Sequence, residues 1–497
     1  VETADAQRIL LQAGKMGTRA RRINSSEDRE DISNGIESDL LTNGLHGYQA
    51  GYERVNANPV TQALKHFVNR TLMPVFLITF VPNLVMMLWF AAVHCDGSYA
   101  CLGNVFRERS LVGGLQHIWS HVHTPSAPIV WILAGYSVFA LIIMRVLPGK
   151  TVYGPLTPKG NMPVYKDNGF ACFVVTMIVF AVLTYVCKTF FGVSPTIVYD
   201  RFDEVLALLN IFSLVFCLLL YVKGLVAPSS TDSGSSGNII FDYYWGTELY
   251  PRIFGFDVKV FTNCRFGMTV WPLLVCVFAL KSYELYGFVD SMMVSAALQM
   301  IYFAKFFWWE SGYMCTIDIM VDRAGFYICW GCLVFVPGLY TSVSLYMVKH
   351  PVQLGLPVAT LIFVLGALSI YVNYDADHQK LAVRRAAGEC LVWGRKPTII
   401  RAKYELENGE TRESILLASG YWGLSRHFHY VAEIMLAFFW SLPALFECVM
   451  PYTYVIWLAI LLTHRSYRDD TKCEKKYGKF WAQYRTQVPH RIVPYIF

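Results

Sequence analysis

The sequence predicts an all-α fold, a multi-pass integral membrane helix bundle with about ten transmembrane helices. Three observations predict it: 55% of the 497 residues are hydrophobic, only 16% are charged, and the apolar residues form long runs. Soluble globular proteins carry about 25% charged residues. A hydrocarbon core of about 30 Å is spanned by roughly 20 apolar residues in a helix, and runs such as Ile129–Leu147 reach that length. These runs lack the polar stripe of a soluble helix, so a soluble protein is excluded.

The first 68 residues differ in composition from the rest of the chain. They combine the basic Arg19–Arg22 with the acidic Glu27–Asp31, separated by Gly, Ser and Asn. Because such a segment cannot bury enough apolar surface to fold, we expect a flexible polar tail over 1–68. It contains no apolar core of signal-peptide length, so the first hydrophobic segment is expected to act as the targeting signal.

Ten apolar segments follow this tail. They lie near residues 72–93, 128–147, 170–191, 204–222, 268–283, 291–308, 327–347, 355–373, 431–449 and 452–463. We assign 69–240 to N-terminal transmembrane helices and 241–497 to a C-terminal transmembrane catalytic region with a cytosolic pocket. The last two segments are expected to form a tight helical hairpin around Pro451.

Basic residues in the loops predict the orientation of the chain. The most basic stretches are 380–403 and 465–491, and positively charged loops remain on the cytosolic side. We therefore expect both stretches in the cytosol. The net charge of +6 is modest for this size, and no nucleic-acid partner is expected. Cys95 and Cys101 share a short loop, where a disulfide and two free thiols both remain open.

Two polar clusters beside apolar runs are candidates for chemistry. The sequence has neither GxGxxG nor GxxxxGK[ST], so a nucleotide would need arginine, lysine and aromatic side chains. Arg465, Asp469, Cys473 and Tyr477 follow one another at intervals of four residues, which places them on one helix face. Such spacing usually gives a surface or interfacial ion pair, but the position at the end of an apolar run also suits a cofactor site, and both remain open.

Lys380 and Arg384 form the second cluster, again four residues apart at the end of an apolar run. Two cations on one face are tolerated where an anion such as a phosphate lies between them. An anchor for anionic lipid is an equal alternative. Glu310 and Lys305 lie in the aromatic stretch 302–318, where costly buried charges suggest a cavity. For Lys305, a side chain that reaches to the membrane interface is the simpler alternative.

Several separated motifs between residues 240 and 497 indicate a family. The motifs are Gly246–Arg252 with Asp257 and Lys259, Thr316–Ile319, His350–Leu354, His378–Lys380, Leu391–Pro397, Ser425–His427 with Tyr430, Leu461–Arg465, Arg468–Asp469, Lys476–Gly478 and Pro494–Phe497. In this order they resemble the membrane sterol reductases. His350–Leu354 and Trp393–Pro397 are similar to the Δ7-sterol (7-dehydrocholesterol) reductase branch rather than the Δ14 branch.

The resemblance implies an NADPH-dependent enzyme of the endoplasmic reticulum membrane that reduces a sterol ring double bond, most specifically the Δ7 bond of a Δ5,7-sterol. Matching positions for NADPH are Lys380, Arg384, Leu417, Trp422, Arg465, Asp469, Cys473 and Tyr477. Tyr302 is similar to a tyrosine implicated in catalysis. We predict Tyr302 and Asp469 as the first candidates for the acid and Glu310 as the next candidate. Protonation of one alkene carbon would be followed by hydride transfer to the other.

The implied partners are a sterol that enters from the bilayer and membrane lipid, with other sterol-pathway enzymes as further candidates; no metal is expected. Three positions depart from the family pattern near the implied site: Lys305 replaces an acidic residue, His429 an asparagine, and Glu433 an aspartate. The alternatives are a Δ14-sterol reductase, a membrane lipid or isoprenylcysteine-type methyltransferase, and a non-catalytic sterol-binding protein.

Overall fold

Helices account for most of the computed structural model, which describes residues 59–497 apart from 156, 158 and 406–410. These residues fall within one unit by their contacts. Most of the predicted tail lies outside the described residues. The first described helix begins at Pro59, inside the segment assigned to that tail.

The first half of the described chain is helical with one strand pair. Its elements are α1 (Pro59–Phe67), a π-helical turn (Val68–Leu72), α2 (Met73–His94), α3 (Tyr99–Ser120), α4 (Ala127–Val146), β1 (Lys150–Tyr153), β2 (Val164–Asp167), α5 (Gly169–Phe190), α6 (Ile197–Asp200), α7 (Phe202–Val226) and α8 (Ile239–Trp245). Helix α3 was not predicted, because Arg107, Glu108 and Arg109 interrupt its apolar residues. A disulfide joins Cys95 to Cys101 across the connection between α2 and α3.

The second half contains two further strand pairs among its helices. Its elements are β3 (Arg252–Ile253), β4 (Phe256–Asp257), a π-helical segment (Val260–Gly267), α9 (Met268–Tyr286), α10 (Asp290–Trp308), α11 (Glu310–Tyr313), α12 (Ile317–Met320), a second π-helical segment (Phe326–Tyr340), α13 (Ser342–Lys349), α14 (Leu356–Arg385), β5 (Ile399–Glu405), β6 (Thr411–Leu417), α15 (Tyr421–Leu424), α16 (Phe428–Ser441), two 3₁₀ turns (Leu442–Ala444 and Met450–Tyr452), α17 (Thr453–Tyr477) and α18 (Lys479–Gln487).

A helix lies on each of the ten predicted apolar segments, which confirms the predicted all-α membrane fold. Within the described residues, seven segments are long and apolar enough to cross a membrane. They are Ala63–His94, Ala127–Val146, Gly169–Phe190, Phe202–Val226, Val260–Tyr286, Phe326–Lys349 and Leu356–Arg385. The other three helices are α10, the shorter α16, and α17, which continues from its apolar start into the charged stretch. The connection between α16 and α17 is longer than the tight hairpin predicted around Pro451.

Three aromatic side chains pack α9, α16 and α17 against one another in the bundle core. Trp271, Trp440 and Tyr454 are fully buried, and their ring centroids lie 5.4 to 6.0 Å apart. Aromatic pairs of this kind contribute about 0.5–1.5 kcal/mol each beyond the burial of their area. This packing fixes the position of α16 against its neighbours.

The β5–β6 hairpin is an apolar layer next to the ends of α14 and α17. Its antiparallel register pairs Ile399 with Leu417, and successive side chains point to opposite faces. One face, with Ile400 and Leu416, packs against α18 and the end of α17. The other face places Leu417 in a cluster with Trp422.

Two chain features hold the region around the hairpin in place. Gly478 has a positive φ of 50°, which ends α17 and turns the chain into α18. Further on, the backbone N–H of His427 donates to the carbonyl of Arg491 at 2.9 Å, and the Ser425 hydroxyl donates to that of Ile492 at 2.6 Å. The segment that precedes α16 is therefore fixed by the last residues of the chain.

Candidate active site

Helix α17 carries one of the two predicted clusters. The four residues Arg465, Asp469, Cys473 and Tyr477 lie in one continuous helix, as their spacing predicted. The Cys473 thiol donates to Asp469 Oδ2 at 3.7 Å. Burial and the Asp469 carboxylate raise the pKa of Cys473, so this residue remains a neutral thiol that packs beside the carboxylate.

Helix α14 carries the other cluster, because it continues unbroken past its apolar part to Arg385. The Lys380 ammonium lies 3.6 Å from the centroid of the Trp422 ring and 3.7 Å from Asp377 Oδ1. Trp422 is itself fixed by its indole N–H, which donates to the carbonyl of Ala376 at 2.7 Å. The Arg384 side chain is exposed, and its Nε donates to the carbonyl of Ile415 on β6 at 3.2 Å.

His427 joins the two clusters. Its Nε2 lies 3.9 Å from Asp469 Oδ2, and both His429 and Lys380 are close enough to act on it electrostatically. Burial, helped by these neighbours, lowers the pKa of His427 well below its usual value, so the ring is neutral. The centroids of the Trp422 and His429 rings are 4.9 Å apart. The structure thus brings residues of α14, α15, α16 and α17 together in what we call the polar cluster, and Leu417 packs in the same apolar group as Trp422.

Two ion pairs tie α17 to the connection around α12. Arg465 Nη2 donates to Asp318 Oδ1 at 2.6 Å, and Arg468 Nη2 donates to Asp322 Oδ1 at 2.8 Å. The Nε of Arg465 is buried and has no hydrogen-bond partner among the described residues. Part of the Arg465 guanidinium is therefore available to a ligand while Asp318 holds the rest in place.

Tyr302 lies among aromatic residues of the bundle, and Arg465 is close enough to act on it electrostatically. Its hydroxyl donates to Glu433 Oε1 at 2.9 Å, and its ring centroid lies 5.4 Å from that of Trp440. The Lys305 ammonium is 5.1 Å from the Tyr302 centroid and donates to Asn373 Oδ1. Asn373 in turn donates to the carbonyl of His429 at 3.1 Å. We call Tyr302 and Glu433 the acid pair. From the sequence, Glu433 was recognisable only as a departure from the family pattern, and its contact with Tyr302 was not predicted.

Glu310, the third candidate acid, is bound to a cation instead. Its carboxylate forms a two-point ion pair with Arg265, in which Arg265 Nη2 lies 2.9 Å from Glu310 Oε2. The same nitrogen donates to Asn168 Oδ1 at 2.9 Å, and both charged side chains are fully buried. A carboxylate paired in this way favours an architectural role over proton donation.

The polar cluster fits a phosphate-bearing dinucleotide by its donor set. Lys380, Arg384 and Arg465 supply cations, and the indole of Trp422 supplies an aromatic surface. Arg465 Nε and His427 Nε2 are buried without a hydrogen-bond partner in the described part of the chain, which is costly unless a ligand or water meets them.

Comparison with known proteins identifies the family. Residues 68–497 match the ergosterol biosynthesis ERG4/ERG24 family. The chain belongs to this family. It is 52% identical to a 7-dehydrocholesterol reductase of Arabidopsis thaliana over 425 residues, which cover 85% of this chain and 96% of the relative. It is 33% identical to a 7-dehydrocholesterol reductase of Danio rerio over 440 residues, covering 85% and 90%. It is also 33% identical to a Δ14-sterol reductase of Methylotuvimicrobium alcaliphilum over 419 residues, covering 84% and 93%.

In this member of the ERG4/ERG24 family, helix α16 connects the polar cluster to the acid pair. His429 and Glu433 are four residues apart on α16, so their Cα atoms lie about 6 Å apart along the helix axis. The first touches Trp422 and the second holds Tyr302. A single helical turn therefore separates the two sets of residues.

Proposed function

We propose that this chain uses NADPH to reduce the Δ7 double bond of a Δ5,7-sterol in the endoplasmic reticulum membrane. The observation that carries the proposal is the single turn of α16 between the polar cluster and the acid pair. Reduction of a carbon–carbon double bond needs a hydride and a proton on adjacent carbons, and residues one helical turn apart on α16 contact the groups assigned to each.

For the cofactor, we assign phosphate contacts to Lys380, Arg384 and Arg465. Bound NADPH supplies the hydride. Lys380 is held over Trp422 and beside Asp377, so its ammonium is oriented before a phosphate arrives. Asp318 does the same for Arg465. The extra phosphate of NADPH over NADH favours a site with several cations.

For the proton, we assign Tyr302 as the residue that faces the sterol. An unactivated alkene is a weak base, so its acid must act in a dry site where charge is strongly stabilised. Tyr302 lies in such a site, buried beside Trp440 and Trp271. Asp469 lies on the cofactor side with Cys473 and His427, where we expect it to orient neighbouring groups.

The names of the relatives support a Δ7 substrate over a Δ14 substrate. The 52% identical relative carries this preference and is named 7-dehydrocholesterol reductase, because the Danio rerio 7-dehydrocholesterol reductase and the named Δ14-sterol reductase are both 33% identical. The membrane spans suit a sterol that reaches the site from the bilayer. The methyltransferase alternative receives no support from the family.

The test is expression in a yeast strain that accumulates Δ5,7-sterols, followed by sterol analysis by mass spectrometry. We expect loss of the Δ7 bond in cells with the wild-type chain. Tyr302→Phe removes only a hydroxyl and should lower turnover by roughly 10²–10⁴-fold without weakening NADPH binding. Tyr243→Phe is a matched control, since the Tyr243 hydroxyl donates to the carbonyl of Leu214 in another part of the bundle.

Each other outcome points to a different reading. Sterol binding without NADPH consumption by the wild-type chain would indicate a non-catalytic sterol-binding protein. Loss of a Δ14 bond alone would indicate the other branch of the family. Full turnover by a folded Tyr302→Phe variant would remove Tyr302 from the mechanism and leave Asp469 as the candidate acid.

A further inference from the structure

Helix α14 contacts both α10 and α16 at Gly366. A Cβ atom at Gly366 would lie 2.6 Å from Leu298 Cδ1 on α10 and 3.2 Å from Phe439 Cβ on α16. Membrane helices approach one another this closely only where a small residue lies between them. Gly366 therefore marks a point at which the three helices are in close contact.

Asn373 lies two turns further along α14, on the same face, and binds the same two helices. Its Oδ1 accepts from the Lys305 ammonium on α10 at 2.5 Å, and its Nδ2 donates to the carbonyl of His429 on α16 at 3.1 Å. The Asn373 side chain is buried. A carboxamide has an acceptor at one end and a donor at the other, so Asn373 uses one to hold α10 and the other to hold α16.

The acid pair lies between these two levels of the bundle. On α10, Tyr302 lies one turn after the contact with Gly366 and one turn before Lys305. On α16, Glu433 lies one turn after His429. The close contact at Gly366 and the hydrogen bonds of Asn373 therefore hold α10 and α16 on both sides of the Tyr302 hydroxyl.

The Lys305 ammonium is held by two neutral groups. They are the amide oxygen of Asn373 and the ring of Tyr302, whose centroid is 5.1 Å from the ammonium nitrogen. A lysine has a flexible four-carbon stem, so its ammonium moves unless a fixed group binds it. Asn373 is that fixed group, and its loss would free a cation beside the ring of Tyr302.

We propose that Asn373 is a positioning residue of the reductase, which sets the distance between Tyr302 and the hydride source by joining α10 to α16; this inference rests on the proposed function. Asn373 acts through the helices that it joins. One of them carries Tyr302, and the other it holds at His429, the residue that contacts Trp422 in the polar cluster. A misplacement of about 1 Å between reacting groups can lower a rate by roughly 10²-fold.

A purely structural role would make Asn373 equivalent to any other polar contact between α10 and the chain of α14. Asp290 supplies the comparison, because its carboxylate at the start of α10 accepts from the backbone N–H groups of Leu354 and Gly355, both at 2.8 Å, directly before α14. Asp290 lies about 18 Å from Tyr302 along the helix axis. Loss of this contact should lower the melting temperature and leave the reacting groups in place.

The experiment compares purified full-length Asn373→Leu, Asn373→Asp and Asp290→Ala with the wild type in nanodiscs. Thermal unfolding is measured first, and then the rate of a single turnover after saturation with NADPH and a Δ5,7-sterol. We expect Asn373→Leu to slow the single turnover roughly 10- to 10²-fold, while the Kd for NADPH and the steady-state KM for sterol change by less than about threefold. Asn373→Asp keeps the oxygen that binds Lys305 and loses only the donor to His429, so it should slow the turnover about tenfold or less. Asp290→Ala should keep the wild-type rate to within about threefold.

The outcomes separate this inference from the function on which it rests. A wild-type rate in folded Asn373→Leu overturns the positioning role and leaves the reductase assignment intact. An equal loss of rate in Asp290→Ala also overturns it, because the rate would then follow a general loosening of the two helices. A loss of NADPH affinity as large as the loss of rate overturns it too, since Asn373 would then act on cofactor binding.

Failure of the wild type to reduce any sterol overturns both the inference and the proposed function. If Asn373→Leu does not fold, Asn373→Asp decides alone. A wild-type rate in that variant overturns the positioning role, and a slowed turnover with unchanged NADPH affinity supports it.

Discussion

Arg465→Lys is the sharpest test of the proposed cofactor site. The guanidinium of Arg465 uses Nη2 to bind Asp318 at 2.6 Å and keeps a buried Nε without a partner among the described residues. A lysine has one nitrogen, which keeps the charge and the contact with Asp318 but loses the other donors. A charge-assisted hydrogen bond is worth about 1.5–3 kcal/mol, so the loss of one to NADPH should raise its Kd roughly 10- to 150-fold.

Arg468→Lys is the matched control, three residues further along the same helix. Arg468 Nη2 binds Asp322 Oδ1 at 2.8 Å, so both variants keep an ion pair to the same connection. The assay is NADPH titration of each variant in nanodiscs by isothermal calorimetry. We expect Arg468→Lys to change the Kd by less than about threefold. Wild-type affinity in Arg465→Lys, or an equal loss in the two variants, would refute the assignment of Arg465 to the cofactor.

Three further predictions address the other charged groups. Replacing Lys380 and Arg384 together by glutamine should lower the affinity for NADPH about tenfold or more and lower the affinity for NADH less. Competition assays with both cofactors measure this difference. Equal losses of affinity would indicate that the two cations bind anionic lipid. Glu310→Gln removes the counter-charge of buried Arg265, so it should destabilise the fold by about 3–5 kcal/mol in thermal unfolding; normal stability with lost turnover would make Glu310 an acid. Because the pKa of His427 is lowered in the fold, the unfolded chain binds the proton more tightly, and stability should fall below about pH 6.5. His427→Gln should reduce that loss of melting temperature.

Short-range patterns were the part of the site that the sequence could predict. The four-residue spacing of Arg465 to Tyr477 and of Lys380 to Arg384 depends only on helix geometry, and both clusters lie on continuous helices. Contacts between distant residues were not predictable in this way. Tyr302 and Glu433 are 131 residues apart in the chain, and Arg465 and Asp318 are 147 apart, so one sequence without relatives carries no sign of either contact.

The same limit explains how the candidate acids and the cysteines were interpreted. Glu310 was a candidate acid because an acidic residue in an aromatic stretch is unusual. The sequence did not show that Arg265, 45 residues earlier, is buried beside it as its ion-pair partner. The pairing of Cys95 with Cys101 was open because a separation of six residues permits a disulfide without requiring one. The folded arrangement determines both the Glu310–Arg265 ion pair and the Cys95–Cys101 disulfide.

The short helix α16 has a consequence for redesigning the enzyme. Its first turn touches Trp422 through His429, and its next turn holds Tyr302 through Glu433. A chimera that exchanges residues 428–441 with those of a reductase of different bond selectivity would alter the contact with Trp422 and the contact with Tyr302 in one step. Selectivity is better engineered on α10, which contributes Tyr302 and Lys305, while the contact with Trp422 is made from α16.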